Sequence, residues 1–312
     1  MTAKPARDPR DYSWLPADIQ AFIARTEAAY PADAVTFSIQ QQRAFYDRLC
    51  ADFDPPHPPG VTTEDLTLAG VPCRRYTPTA PRSGVTAIYF HGGGFVVGGL
   101  HSHDAICAEL AEGAQVVLIA VDYRLAPEHT HPAAYDDCAA VVDSVPGAKV
   151  LIGDSAGGTL AAAVSATRGE TAQIAGQVLI YAALGGDPSL PSYTRHAFAP
   201  MLTRADVEFY GTVRYAGGVA PVGDVTATPL AADSYEGLPP TAIFSAEADP
   251  IASDSVEYAA RLAEAGVPVE MTEEPGLVHG YLRARHMSEG ARASFRRITS
   301  ALAALAAQAV AQ

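Results

Sequence analysis

Three residues far apart in the chain are of the types that together activate a hydroxyl group. Ser155 lies in GDSAGG (153–158), Asp249 in SAEADP (245–250) and His279 in GLVHGY (276–281). A serine hydroxyl is a poor nucleophile at neutral pH, so a neutral imidazole must take its proton as the oxygen attacks an acyl carbon. A carboxylate must then fix the imidazole tautomer and stabilise the imidazolium that forms. Each residue alone also has a plain structural role open to it. Ser155 at a strand-to-helix junction is placed to cap the helix, Asp249 before Pro250 to open a turn, and His279 is one of nine histidines. A fourth element joins them: HGGGF (91–95) follows an apolar run and carries three successive glycines. The unobstructed N–H groups of these glycines, with that of Ala156 after the serine, are suited to an oxygen gaining negative charge. A phosphate cradle is the rival reading of such glycines, but neither GxxxxGK[ST] nor GxGxxG is present.

These residues need a frame, and the hydrophobic pattern supplies one. Strand-like runs at 62–68, 71–76, 85–90, 115–121, 148–152, 177–181, 241–245 and 267–271 alternate with amphipathic stretches such as 104–112, 133–142 and 253–265. Such alternation predicts an α/β fold, a mostly parallel sheet covered by helices on both faces. Sites in such sheets gather beyond the carboxyl ends of the strands, where Ser155, Asp249 and His279 fall. Glycines at 153 and 157 fit a tight turn that pushes Ser155 outward. Residues 14–50 read as helical, and the proline-dense DPPHPPG (54–60) cannot continue a helix. The interval 185–237 breaks the rhythm, with one good helix at 205–215 capped by Thr203, and reads as a lid or as decoration. The Ala-rich C-terminus reads as a packing helix.

Composition bounds the function. With 48% hydrophobic and 18% charged residues the 312-residue chain is a folded protein. Its formal net charge of −14 argues against nucleic acid or anionic lipid as a partner. Cys50, Cys73, Cys107 and Cys138 form no CxxC pair and read as buried thiols. No stretch approaches ~20 apolar residues and the first residues lack a secretory core, so the expected compartment is the cytoplasm.

HGGGFVVGGLHSHD (91–104), DYRLAPEHTHPAAYDD (122–137), GDSAGG, GLPPTAIFSAEADP (237–250), YAARLAEAGVPVE (258–270) and HGY (279–281) occur in one order. In them the chain resembles a bacterial member of the hormone-sensitive lipase family of esterases, of the α/β-hydrolase fold, over residues 68–281. The chain order Ser, Asp, His agrees with that fold. The resemblance implies Ser155 as nucleophile, His279 as base, Asp249 as its carboxylate, and oxyanion donors from Gly93, Gly94 and Ala156. It also implies a helical cap from residues 1–55 and 185–237 over a hydrolase core of residues 56–184 and 238–312. The chain departs from the family pattern at Ile251–Asp254, where an acidic pair is usual, which makes Asp254 a second carboxylate to consider beside Asp249. It departs again at Thr130-His131 and at 182–185, which bear on the pocket and cap.

The expected activity is a serine carboxylesterase acting on short acyl esters through an acyl-enzyme on Ser155, needing no cofactor and no metal. The expected partner is a small-molecule ester, with no nucleic acid and no membrane; a homodimer is left open. The same residues also suit a lactone, carbamate or amide hydrolase, and the fold alone also suits a non-catalytic receptor for a small ligand.

Overall fold

The computed structural model of the chain describes residues 8, 10–31, 33–82, 84–185 and 187–311. Eight strands form one sheet: β1 Thr62–Leu68, β2 Val71–Thr77, β3 Val85–Phe90, β4 Val117–Val121, β5 Ala148–Asp154, β6 Ile174–Ile180, β7 Thr241–Ala248 and β8 Val269–Val278. Their spatial order is β1-β2-β4-β3-β5-β6-β7-β8. The first two strands form an antiparallel hairpin and β2 runs antiparallel to β4. From β4 to β8 every pairing is parallel. The central strands are continuous apolar runs because both faces are covered: five of the six residues of β3 and six of the seven of β5 are buried. β1, TTEDLTL, is largely exposed, and its charges blunt the sheet edge.

The helices are α1 Ala17–Ala29, α2 Ile39–Phe53, α3 Asp104–Ala114, α4 Ala133–Ser144, α5 Ala156–Arg168, α6 Pro191–Arg195, α7 Arg204–Arg214, α8 Ala252–Glu264 and α9 Glu289–Ala311. Strand side chains alternate between faces, and β5 divides the core accordingly. Val150 and Ile152 join Ile19 and Phe22 of α1, Leu49 of α2, Ile106 of α3 and Leu302 of α9. Leu151 joins Cys138 of α4, Leu160 of α5 and Leu262 of α8 on the other side. The N-terminal helices thus share a core with the sheet despite the proline-dense link.

The expected fold class holds, with boundaries that move for physical reasons. The strand expected at 115–121 starts at Val117, since Gln115 ends α3 in the left-handed region (φ 53°). β6 begins three residues earlier than its apolar run suggests, where Gly176 passes so close to α9 that a Cβ there would lie 3.0 Å from Leu305. β8 continues past Met271 to Val278, through Pro275 and Gly276, with the Gly276 amide donating to Glu247 Oε2 at 2.8 Å. The C-terminal helix spans 23 residues. Among the described residues no helix is long and apolar enough to cross a membrane.

Candidate active site

The extended strands give the site a simple construction. Ser155, Asp249 and His279 are each the first residue past the end of a strand, β5, β7 and β8 respectively. Ser155 alone joins β5 to α5, at φ 52° and ψ −119°. Such a conformation costs a non-glycine residue about 1–3 kcal/mol and persists only where the surroundings over-determine it. Here the helix is pressed onto the strand that precedes it. A Cβ at Gly157 would lie 1.9 Å from the carbonyl oxygen of Phe90, and one at Gly153 would lie 2.3 Å from that of Gly157. The Ser155 amide donates to Ile180 O at 2.9 Å, tying the turn to β6.

The three side chains converge. His279 Nδ1 lies 2.7 Å from Asp249 Oδ2 and its Nε2 lies 2.9 Å from Ser155 Oγ. A carboxylate accepts only, so Nδ1 donates and Nε2 is left to accept the serine proton. Asp249 is fully buried, and its other oxygen accepts the Ile251 amide at 3.0 Å. Tyr181 packs on the imidazole with ring centroids 4.8 Å apart. Asp254 goes elsewhere: its Oδ2 accepts the amides of Leu184 and Gly185, both at 2.9 Å, and so fastens the segment leaving β6.

The glycine turn after β3 stands beside Ser155, with Gly93 and Gly94 lining the same cavity as Ser155 and His279. Gly94 adopts φ 60°, and a Cβ on it would lie 2.6 Å from the ring of Tyr210 on α7. Ala156 opens α5, so its amide is at a helix N-terminus, where hydrogen-bond donors are unpaired within the helix. Asp154, the residue before the serine, holds the glycine turn in place: its Oδ1 accepts the Gly92 amide at 2.9 Å and the Tyr89 hydroxyl at 2.7 Å. Burial opposes ionisation of Asp154, but His103, the Tyr89 hydroxyl and Arg283 outweigh it and hold the carboxyl below the usual carboxylate range. His91 stacks on Tyr123 at 4.2 Å and is held by Nδ1 donating to Gly92 O at 2.8 Å. Burial, reinforced by His103, lowers the His91 imidazole to about 3. The sequence reading assigned neither Asp154 nor His91 a role, although both stand inside its motifs.

The site opens into a cavity of about 770 Å³. Beyond the strand ends, its walls include residues from α1 and the segment before it, α2, α3, the turn after His279 and the interval between β6 and β7, among them Tyr30, Ile106, Leu282 and Tyr210. Across its roof the Arg10 guanidinium lies 4.6 Å from the Phe198 ring, and the Tyr12 hydroxyl lies 3.4 Å from His196 Nδ1. Helix α7 is capped as its sequence predicts, Thr203 Oγ1 accepting the Asp206 amide and Asp206 Oδ2 accepting that of Thr203. Among the described residues, no group of three or more His, Cys, Asp or Glu side chains is arranged to hold a metal ion.

Residues 87–283 match the model of a protein family described as having the alpha/beta hydrolase fold. Carboxylesterase NlhH of Mycobacterium tuberculosis is 38% identical over 232 residues, covering 69% of this chain and 72% of the relative. An ethyl acetate hydrolase of Pseudomonas putida is 33% identical over 248 residues, covering 74% of this chain and 78% of the relative. Among solved structures, a bacterial heroin esterase superposes with a TM-score of 0.85 at 26% identity, covering 95% of this chain and 99% of that one.

Proposed function

Since the chain belongs to the α/β-hydrolase fold family, among its hormone-sensitive-lipase-type esterases, we infer that it is a serine carboxylesterase in which Ser155, His279 and Asp249 perform the chemistry. The observation that carries this reading is the unbroken contact from Asp249 Oδ2 through both imidazole nitrogens to Ser155 Oγ.

As Ser155 Oγ bonds to the ester carbonyl carbon, its proton passes to His279 Nε2 and the carbonyl oxygen takes up the negative charge. The amides of Gly93, Gly94 and Ala156 stabilise that oxygen. Collapse of the intermediate breaks the bond to the alcohol oxygen, which leaves with the proton from Nε2, and the acyl group stays on Ser155. Water then attacks the acyl carbon, giving its proton to Nε2, and the serine is restored as the acid departs. Asp249 keeps Nδ1 protonated throughout.

The described residues of 1–55 and 185–237 act together as a cap over the acyl pocket; residues 1–7, 9, 32 and 186 of the expected cap lie outside the described residues. A cavity of about 770 Å³ is within the range of small-molecule sites, which supports short acyl esters over chains that stay in a lipid phase. All four cysteines are buried free thiols, which supports a reducing compartment such as the cytoplasm. The test is hydrolysis of p-nitrophenyl esters across acyl lengths, alongside labelling by a fluorophosphonate. Wild type hydrolyses the butyrate and is labelled, while Ser155→Ala loses both the label and several orders of magnitude in turnover. Near-normal hydrolysis by Ser155→Ala would overturn the assignment. Rates still rising beyond about ten carbons would overturn the short-chain reading.

A further inference from the structure

Two arginines sit in the short turn Tyr281–His286 that follows His279, and the fold treats them differently. Arg285 is closed off: Nε and Nη2 donate to Glu109 and Nη1 donates to Leu282 O. Arg283 is also buried, 6% exposed against 2% for Arg285, yet no ion pair joins it to a carboxylate among the described residues. Its Nη1 donates to Ser102 O and its Nη2 to the Tyr46 hydroxyl, both at 2.9 Å. A guanidinium carries five N–H donors in a fixed fork, so these two bonds leave three to other acceptors. Arg283 lines the cavity that holds Ser155 and His279.

A brace between the turn, α2 and the start of α3 requires only the two bonds already made. The buried charge is offset in part by Asp154, which it helps hold ionised, and by the Tyr46 ring 5.1 Å from the guanidinium carbon, and it is offset further when the remaining donors are satisfied. The cavity lining includes the apolar Leu49, Ile106 and Leu282 beside the polar Tyr46, His103 and Asp154. A substrate chain reaching this part of the cavity comes up against Arg283 among these side chains. The charge of the acceptor follows from what surrounds it: Asp154 faces the same cavity and is held ionised, and the chain carries −14 overall. Both disfavour a second full negative charge.

We propose that Arg283 is a specificity-determining residue that receives a neutral acceptor oxygen on the substrate, such as a ketone, ether or second ester carbonyl a few carbons from the scissile bond. This inference rests on the carboxylesterase reading. It makes an ester with such an oxygen a better substrate than its plain alkyl counterpart of equal size.

The test compares kcat/KM for p-nitrophenyl 4-oxopentanoate against the 4-methylpentanoate, and for 2-methoxyethyl butyrate against butyl butyrate. Each rate is normalised to alkaline hydrolysis of the same ester. The first pair places the oxygen on the acyl side and the second on the alcohol side. The expected result is a preference of roughly tenfold for the oxygen-bearing ester in at least one pair, the scale of a hydrogen bond to a charged group, and its collapse toward one in Arg283→Met. Tyr46→Phe, which keeps the guanidinium and frees an N–H, should retain the preference. A wild-type ratio at or below one in both pairs overturns the proposal, whether or not Arg283→Met folds, and so does an unchanged ratio in that variant. A preference for the anionic p-nitrophenyl hemisuccinate over the oxo ester overturns the neutral assignment. Hydrolysis of all four esters without discrimination removes this inference and leaves the esterase reading standing; hydrolysis of none removes both.

Discussion

Asp154 Oδ1 accepts the Gly92 amide at 2.9 Å, so the residue that precedes Ser155 also fastens the glycine turn beside it. Two loops that follow different strands are thereby held as one rigid unit. Charge stabilisation by fixed amides depends on such preorganisation. Asp154→Ala should therefore lower kcat roughly 10–100-fold with little change in KM, the signature of an interaction that matters in the transition state. Steady-state kinetics on p-nitrophenyl butyrate would show it, and a change confined to KM would contradict it.

Acid should destabilise this protein through His91. Its folded-state value of about 3 lies below that of an unfolded histidine near 6.5. Between those values the unfolded chain binds a proton that the folded chain does not, so stability is fully present above pH 6.5 and falls as pH decreases toward 3. The slope from this group is about 1.4 kcal/mol per pH unit. Urea midpoints at pH 7 and pH 5 should differ, and the difference should shrink in His91→Asn.

Asp249 and Asp254 should separate by readout. Asp249→Asn removes the acceptor that orients the imidazole and should cost roughly 10³–10⁴-fold in kcat while the urea midpoint moves little. Asp254→Ala leaves the Leu184 and Gly185 amides without their acceptor and should cost about 2–4 kcal/mol of stability. Measuring both quantities on both variants checks the division, and a catalytic collapse of folded Asp254→Ala would refute it.

The nucleophile turn should tolerate no side chain at 157. With the Phe90 carbonyl oxygen 1.9 Å from the position of a Cβ, Gly157→Ala must displace either α5 or β3. The expected outcome is loss of fluorophosphonate labelling together with a lower thermal midpoint, whereas a fully labelled variant of unchanged stability would contradict the packing described.

The three side chains that the fold brings together were legible in the sequence because Ser155 and Asp249 closely follow runs of strong β pattern, and because GDSAGG and HGGGF have few uses. What escaped depends on distant segments meeting. Ala175 and Gly176 carry no strand signal, and β6 extends over them because α9 presses there through Leu305. The strand pattern ends at Met271 in the sequence, yet β8 continues to Val278 with Gly276 held by Glu247. Tyr210 and Arg283 gave no signal, since one acquires its place by lying over Gly94 and the other by facing a cavity assembled from several elements. Asp254 enters as a second carboxylate only through the departure from the family pattern at 251–254, whereas its Oδ2 accepts the backbone amides leaving β6.

The four sequestered thiols make the molecule report on its own opening. Burial raises Cys50 and Cys73 to about 11 and also lifts Cys107 and Cys138 well above the ordinary thiol value, so the native form offers almost no thiolate to a maleimide. Any adduct then records an excursion from the native state. Cys50 dates the departure of α2, Cys138 that of α4 on the opposite layer, and mass spectrometry of the tagged peptides would rank which side loosens first.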